Sequence, residues 1–241
     1  MKINAGLTYY DEINKKIRAT RDKKIEVDNC LGQRYIGCGL SGKELTVNGT
    51  PGNALGAYLN GATVNVYGNA QDATGDTMND GVIAIHGSSG DATGYAMRGG
   101  TIFVKGDAGY RAGIHMKAYK DKVPVLVIGG KAGSFLGEYQ AGGYIIVLGI
   151  GHEDRSTVVE RFCATGMHGG KIFLRCDELP FDLPKNIFAE KATKKDLAEI
   201  EEYVDKYIEL FGGDKQIIMK KNFFVLTPDT KNPYKQIYTA C

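Results

Sequence analysis

The sequence predicts an all-β chain wound as a parallel β-helix of roughly nineteen-residue coils, with a short helical appendage at its start and a longer one at its end, and three observations predict it. A glycine returns every nineteen residues at Gly49, Gly68, Gly87 and Gly106, and Gly130 and Gly149 resume the interval after an insertion of five. A second glycine follows seven residues after most of these anchors, at Gly56, Gly75, Gly94, Gly113 and Gly137, with more near Gly61, Gly81, Gly99 and Gly142. Counting back two and four from each anchor gives Val47 and Leu45, Val66 and Val64, Ile85 and Ile83, Val104 and Ile102, Ile128 and Leu126, then Val147 and Ile145, all aliphatic. Repeats of this period mean stacked units that cannot bury their apolar face alone. Strands about 4.8 Å apart would stack the inward residues into one continuous core. Glycine at fixed phase implies stacked corners where a Cβ is not tolerated, with Gly68, Gly87 and Gly106 expected in backbone geometry closed to large side chains.

Taken in order, residues 1–23 form a helical arm: Thr8 is placed to cap a helix with Asp11 three residues later and Ile13 and Ile17 on one face. The β-helix is expected over residues 24–178, because Cys30 lies nineteen before Gly49 and Cys176 ends the run from Ile172 to Arg175 as the glycines end theirs. Its strands read as short alternating runs such as 63–67 and 101–105. Excursions at 115–122 and 152–161 enlarge two coils. In residues 179–241, Thr193 precedes Leu197, Ile200, Tyr203, Val204, Tyr207, Ile208 and Phe211 at helical spacing, and Gly212 and Gly213 supply the stop. The segment Phe223 to Leu226, followed by Pro228, Pro233, Tyr234 and Tyr238, reads as an extended tail that docks on something.

The outward strand positions start polar, with Thr46, Asn48, Asn65 and Tyr67, and turn apolar along the stack, with Phe103, Val127, Ile146 and Leu148. Either the helix after Thr193 folds back over them and Phe173, or a partner or second copy covers them. Phe103, Ile146, Leu148, His115 and His152 are the candidate partner contacts.

With 241 residues, 43% hydrophobic and a net charge of +2, the chain fits one soluble domain and not a nucleic-acid surface, since no arginine-rich stripe or aromatic ladder is visible. No run approaches a membrane span and the first residues lack a signal-peptide apolar region, so the cytoplasm is expected. Five cysteines without a Cys-x-x-Cys pair fit reduced, structural thiols. No catalytic, cofactor-binding or metal-ligating set can be assembled.

Two decoys share residues 37–43. Gly37-Cys38-Gly39-Leu40-Ser41-Gly42 matches a dinucleotide fingerprint, and Lys43 brings it near a phosphate-loop pattern. Both need a helix next, but a strand from Glu44 follows, and Glu44 stands where a magnesium-binding Ser or Thr belongs. His86 and Lys105 fall on the outward face, where a solvated role is expected; His115, His152 and His168 lie in or beside enlarged turns. His152-Glu153-Asp154 is the one tight titratable cluster, yet consecutive loop residues do not make a metal face.

The segment Gly32-Gln33-Arg34-Tyr35-Ile36-Gly37, the coils from Gly49 to Gly149 and the turn Gly166-Met167-His168-Gly169-Gly170 together resemble the G-x-G-x-G domain of the glutamate synthase large subunit. The resemblance implies a right-handed β-helix that holds a glutamine amidotransferase and a flavin-containing synthase in register, with catalysis in those partners and no cofactor in this chain. Unlike the full-length proteins, the chain lacks an N-terminal nucleophilic cysteine, a flavin-barrel length of sequence and iron–sulfur cysteine spacing, which implies a separate scaffold subunit for glutamate biosynthesis. A homo-oligomer stays open. Formylmethanofuran dehydrogenase has a similar third subunit, so a scaffold in that complex is the alternative. A stand-alone β-helix enzyme is disfavoured, because nineteen does not divide into hexapeptides and no acidic cluster recurs between coils.

Overall fold

In the computed structural model, which describes residues 1–154 and 156–229, eleven strands form one mixed sheet. Strand β1 (Lys2–Asn4) and helix α1 (Tyr10–Ala19) come first. Eight strands follow: β2 (Lys24–Leu31), β3 (Glu44–Thr50), β4 (Asn60–Tyr67), β5 (Asp80–Ile85), β6 (Thr101–Val104), β7 (Val125–Ile128), β8 (Ala141–Val147) and β9 (Gly169–Arg175). Then come β10 (Ile187–Lys191), α2 (Lys194–Phe211), α3 (Lys215–Lys220) and β11 (Phe223–Pro228). Strands β1 to β9 lie side by side in chain order and all parallel, while β11 pairs antiparallel with β9 and β10 with β11.

The register aligns the repeat. Val47, Val66, Ile85, Val104, Ile128, Val147 and Leu174 oppose one another from strand to strand, and so do Leu45, Val64, Ile83, Ile102, Leu126, Ile145 and Ile172. All twelve aliphatic positions that the repeat assigns to the interior are fully buried. A shift of one residue would turn each of these columns to the outer face, so the core itself holds the register. Each connection returns the chain beside its predecessor. A second row of parallel bridges links Ala70, Ser89, Ala108, Ala132 and Val159, so successive rungs are bonded on more than one side.

Between the two rows runs a corner in which every second residue is left-handed. In one rung these are Ala54, Gly56 and Tyr58, at φ of 63°, 62° and 56°. Their N–H groups donate alternately to neighbouring rungs: Ala54 to the Asp72 carbonyl at 2.8 Å, Gly56 to that of Ile36 at 2.9 Å and Tyr58 to that of Asp76 at 2.8 Å. Alternation thus satisfies corner backbone that would otherwise be orphaned. The anchor glycines divide into two kinds. Gly49, Gly68 and Gly149 have positive φ, but Gly87, Gly106 and Gly130 do not. At Gly87 the constraint is contact alone, since a Cβ there would meet the Asn69 side chain and lie 2.7 Å from the Gly68 carbonyl oxygen.

Helix α1 closes the first rung. Ile13 and Ile17 are buried as their spacing predicts, but Thr8 is not the cap: Tyr9 occupies that position without a side-chain bond. Asn14 Oδ1 accepts from Gly37 N–H at 3.1 Å. Lys43, the residue that completes the phosphate-loop decoy, donates to the carbonyls of Ile17 (2.6 Å) and Thr20 (2.9 Å). Its charge is spent on the open carbonyls at the end of α1. Gln33 ties the same end together, accepting from Leu31 N–H at 2.6 Å and donating to the Gly6 carbonyl at 2.7 Å.

At the other end α2 lies across the outer face. Its start is a reciprocal cap between Thr193 and Asp196, and it stops at Gly212 with φ of 82°. Ile200, Val204 and Tyr207 pack with Phe103, Val127, Ile146, Leu148 and Phe173 in a second apolar cluster. Tyr207 donates to the Lys105 carbonyl at 2.9 Å, passing so close to Gly129 that any Cβ there would collide with the phenol oxygen. Arg175 is buried and bridges the cover to the stack, donating to the carbonyls of Ile218 (2.9 Å) and Leu148 (2.7 Å). The expected docking of Phe223 to Leu226 takes the form of strand addition in β11. Pro233, Tyr234 and Tyr238 lie outside the described residues.

The start of α2 predicts an acid response. Two bonds from Thr193, hydroxyl and N–H, hold the Asp196 carboxyl below its usual range, and Lys171 at 3.3 Å adds to this. A depressed carboxylate stabilises fully above its unfolded pKa, near 3.9, and loses that stabilisation as pH falls through the lower folded value. Melting temperature should therefore drop below about pH 4. The Asp196→Asn variant should start lower at pH 7 and show a shallower acid decline; parallel melting curves for parent and variant over that range would refute the assignment.

Candidate functional site

The most distinctive exposed chemistry lies on the left-handed corner of the last three rungs. Two lines of aromatic side chains run across it. In one, the Tyr110 and Phe135 rings are 5.2 Å apart and those of Phe135 and Phe162 are 4.8 Å apart. In the other, His115 stacks on Tyr139 at 5.2 Å, nearly parallel, and meets the edge of Tyr95 at 5.9 Å. The Arg111 guanidinium sits 5.0 Å from the Tyr110 ring and 5.3 Å from Phe135, and its Nε donates to the buried Glu138 carboxylate at 2.9 Å. Arg161 lies 5.9 Å over Phe181, which is 86% exposed. An open cleft of about 450 Å³ adjoins them, lined by Ser134, Thr157, Glu160, Arg161, Phe181 and Asp182 among others. Asp182 holds the corner in place by accepting from Phe162 N–H at 2.9 Å.

This edge is invisible in the sequence as an aromatic ladder, because insertions in the last rungs break the nineteen-residue spacing that would have aligned its members. The available signal was positional: Phe135 and Phe162 stand two residues before the corner residues Gly137 and Ala164, and His115 and Tyr139 two after Gly113 and Gly137, whatever the loop length between rungs.

The predicted site residues distribute differently. His115 belongs to the edge. His152 does not, since its Nε2 is 2.8 Å from Asp107 Oδ1, an oxygen that also accepts from Lys131 N–H at 2.9 Å. Its neighbour Glu153 turns back to accept from Gly151 N–H at 3.1 Å, and its own N–H and that of Gly151 hold its carboxyl below the usual range. His152 and Glu153 are therefore turned apart, one to Asp107 of an earlier rung and the other back onto its own turn. Phe103, Ile146 and Leu148 require a correction as partner contacts: all three are buried beneath α2, which leaves no surface for a partner. The chain covers its own apolar strip with the apolar face of α2, through Ile200, Val204 and Tyr207. His86 also departs from its expected solvated role. It stacks on Tyr67 at 4.3 Å and meets the edge of Phe211 at 5.0 Å, and burial, with help from Lys105, lowers its pKa.

The buried thiols are poor nucleophiles. Burial pushes Cys30 and Cys176 up to about 11 and Cys163 up to about 12, so each stays protonated near neutral pH. Among the described residues no group of three or more His, Cys, Asp or Glu is arranged to hold a metal ion, and no helix is long and apolar enough to cross a membrane.

Comparison with known proteins agrees with the repeat. An uncharacterized protein of Methanocaldococcus jannaschii is 45% identical over 249 residues, covering 98% of this chain and 95% of the relative. The GXGXG motif family model matches residues 8–229, from the segment before α1 to the end of the described chain. The match spans the stacked glycine corners and their buried aliphatic columns, and the chain belongs to the GXGXG motif family.

Proposed function

We propose that this chain is a non-catalytic scaffold subunit of a glutamate synthase-like oxidoreductase, wound as a right-handed parallel β-helix and working in the cytoplasm beside amidotransferase and flavin-containing subunits. The observation that carries the reading is the GXGXG match across the whole stack, taken with its likeness to the glutamate synthase domain at residues 32–37 and 166–170. The side chains add support. Lys43, Asn14, Gln33, Arg175 and the His152–Asp107 pair are all engaged in holding rungs and appendages together. A stack bonded on several sides is stiff, and stiffness is what fixes two active sites at a set separation.

Two measurements test this. The tagged chain recovered from native extract should bring down a flavoprotein and a glutamine-hydrolysing subunit; molybdenum or tungsten subunits in their place would redirect the assignment to a formylmethanofuran dehydrogenase-like complex. The purified chain alone should be colourless, without stoichiometric flavin, and without glutaminase or synthase turnover. Bound flavin absorbance in the isolated protein would overturn the scaffold role.

A further inference from the structure

We infer that the corner edge of the last three rungs is a protein docking surface, whose occupant is a partner subunit presenting a carboxylate among apolar side chains. The first argument is backbone strain without burial. Arg111, His115, Phe135, Tyr139 and Phe162 all have left-handed φ, between 54° and 62°. L residues with bulky side chains rarely adopt that region, and such outliers persist where function requires them. The middle rungs show what folding alone selects at the same positions: Ala73, Thr77, Ala92 and Ala96. The large rings do not repay the strain by entering the core, since Tyr139 is 46% and Phe162 44% exposed. Tyr35 and Tyr58, also left-handed, stand near the other end, where Tyr35 meets the Tyr10 ring at 5.7 Å; among the described residues neither makes a ring contact with this edge.

The second argument is charge. Arg111 is neutralised by Glu138, and Lys131 pairs with Glu160 at 3.7 Å. Arg161 has no ion-pair partner among the described residues and is held over Phe181 at the rim of a cleft that Glu160, the exposed Glu178 and Asp182, which accepts from Phe162 N–H, also line. One open guanidinium among exposed rings fits a carboxylate set in an apolar surface, the combination that concentrates binding energy at protein interfaces. Glu138 and Glu160 on the same edge argue against a phosphate backbone.

Which subunit sits there rests on the proposed assembly; the existence of the surface does not. The test uses the tagged full-length chain and its Tyr139→Asn, Phe162→Asn and Arg161→Glu variants, with Tyr58→Asn as control. Asparagine tolerates left-handed φ, so the two ring variants should melt at the parent temperature or up to about 4 °C above it. Recovery of the subunits that the parent retains from native extract should fall about tenfold or more in all three, and stay at the parent level in the control. Ring variants that melt several degrees lower would show that the rings serve the fold, and undiminished recovery would show that no partner uses them; either result overturns the inference. So does recovery that nuclease abolishes. A parent that retains no other subunit overturns both this surface and the scaffold role. If the parent retains a different, identified subunit, only the assembly assignment falls: its loss from the variants supports the surface and its retention overturns it.

Discussion

A chain ending at Asn186 is expected to aggregate, or to bind a hydrophobic dye strongly, where the parent stays soluble and dye-silent. The truncation removes β10, α2, α3 and β11 together. Phe103, Val127, Ile146, Leu148 and Phe173, none more than 2% exposed in the parent, would then form one apolar strip on the outer face. Each such side chain contributes about 1.5–3 kcal/mol on burial, so uncovering five is large against the 5–15 kcal/mol typical of a whole domain. The same cut strips β11 from β9 and leaves the edge of its four paired residues, Ile172 to Arg175, without a partner strand. Size-exclusion chromatography with a dye titration reads both effects. A soluble, monodisperse, dye-silent truncation would mean that α2 is not what covers the strip.

The interior was legible because it obeys a strict period: two along the strand and nineteen between strands leave no freedom in which residue faces in. Helix α2 was legible for a related reason, since eighteen residues carry both a 3.6-residue apolar face and signals at each end. What escaped is short or depends on distant partners. Strands β1 and β10 and helix α3 have three, five and six residues, too few for a period, and each exists because a neighbouring strand or the α2 cluster receives it. At the start of α1, Thr8 was a plausible cap by composition, yet its N–H is bonded to the Ala5 carbonyl at 2.6 Å and the helix begins a residue later. The corner edge was hidden because its left-handed positions are filled by residues that normally avoid them, a choice that local propensity does not forecast. Phe103, Ile146 and Leu148 were correctly read as an apolar strip needing cover; sequence alone did not decide between an internal helix and a partner.

The corner glycines give the sharpest test of the stacking itself. Gly137→Val is expected to destabilise the fold by about 2–5 kcal/mol, because two penalties fall on one site: left-handed strain of roughly 1–2 kcal/mol and overpacking of roughly 1–3. Gly137 has φ of 65°, and a Cβ there would lie 2.7 Å from Ile172 Cδ1, 3.1 Å from Gln140 Oε1 and 3.3 Å from Ile145 Cδ1. Ile172 belongs to the strand of the next rung, so the clash is the stacking distance itself. Gly56 and Gly113 face Ile83 and Ile145 in the same way. The last rung supplies an internal control: Ala164 occupies the equivalent corner at φ of 60°, fully buried, where no further parallel strand follows β9. The chain thus tolerates a methyl group only where the stack ends. At about 2–4 °C per kcal/mol for a chain of this size, Gly137→Val should melt about 4–20 °C below the parent, with Gly137→Ala in between. A valine variant with an unchanged melting curve would mean that the rungs are not packed against one another at this corner.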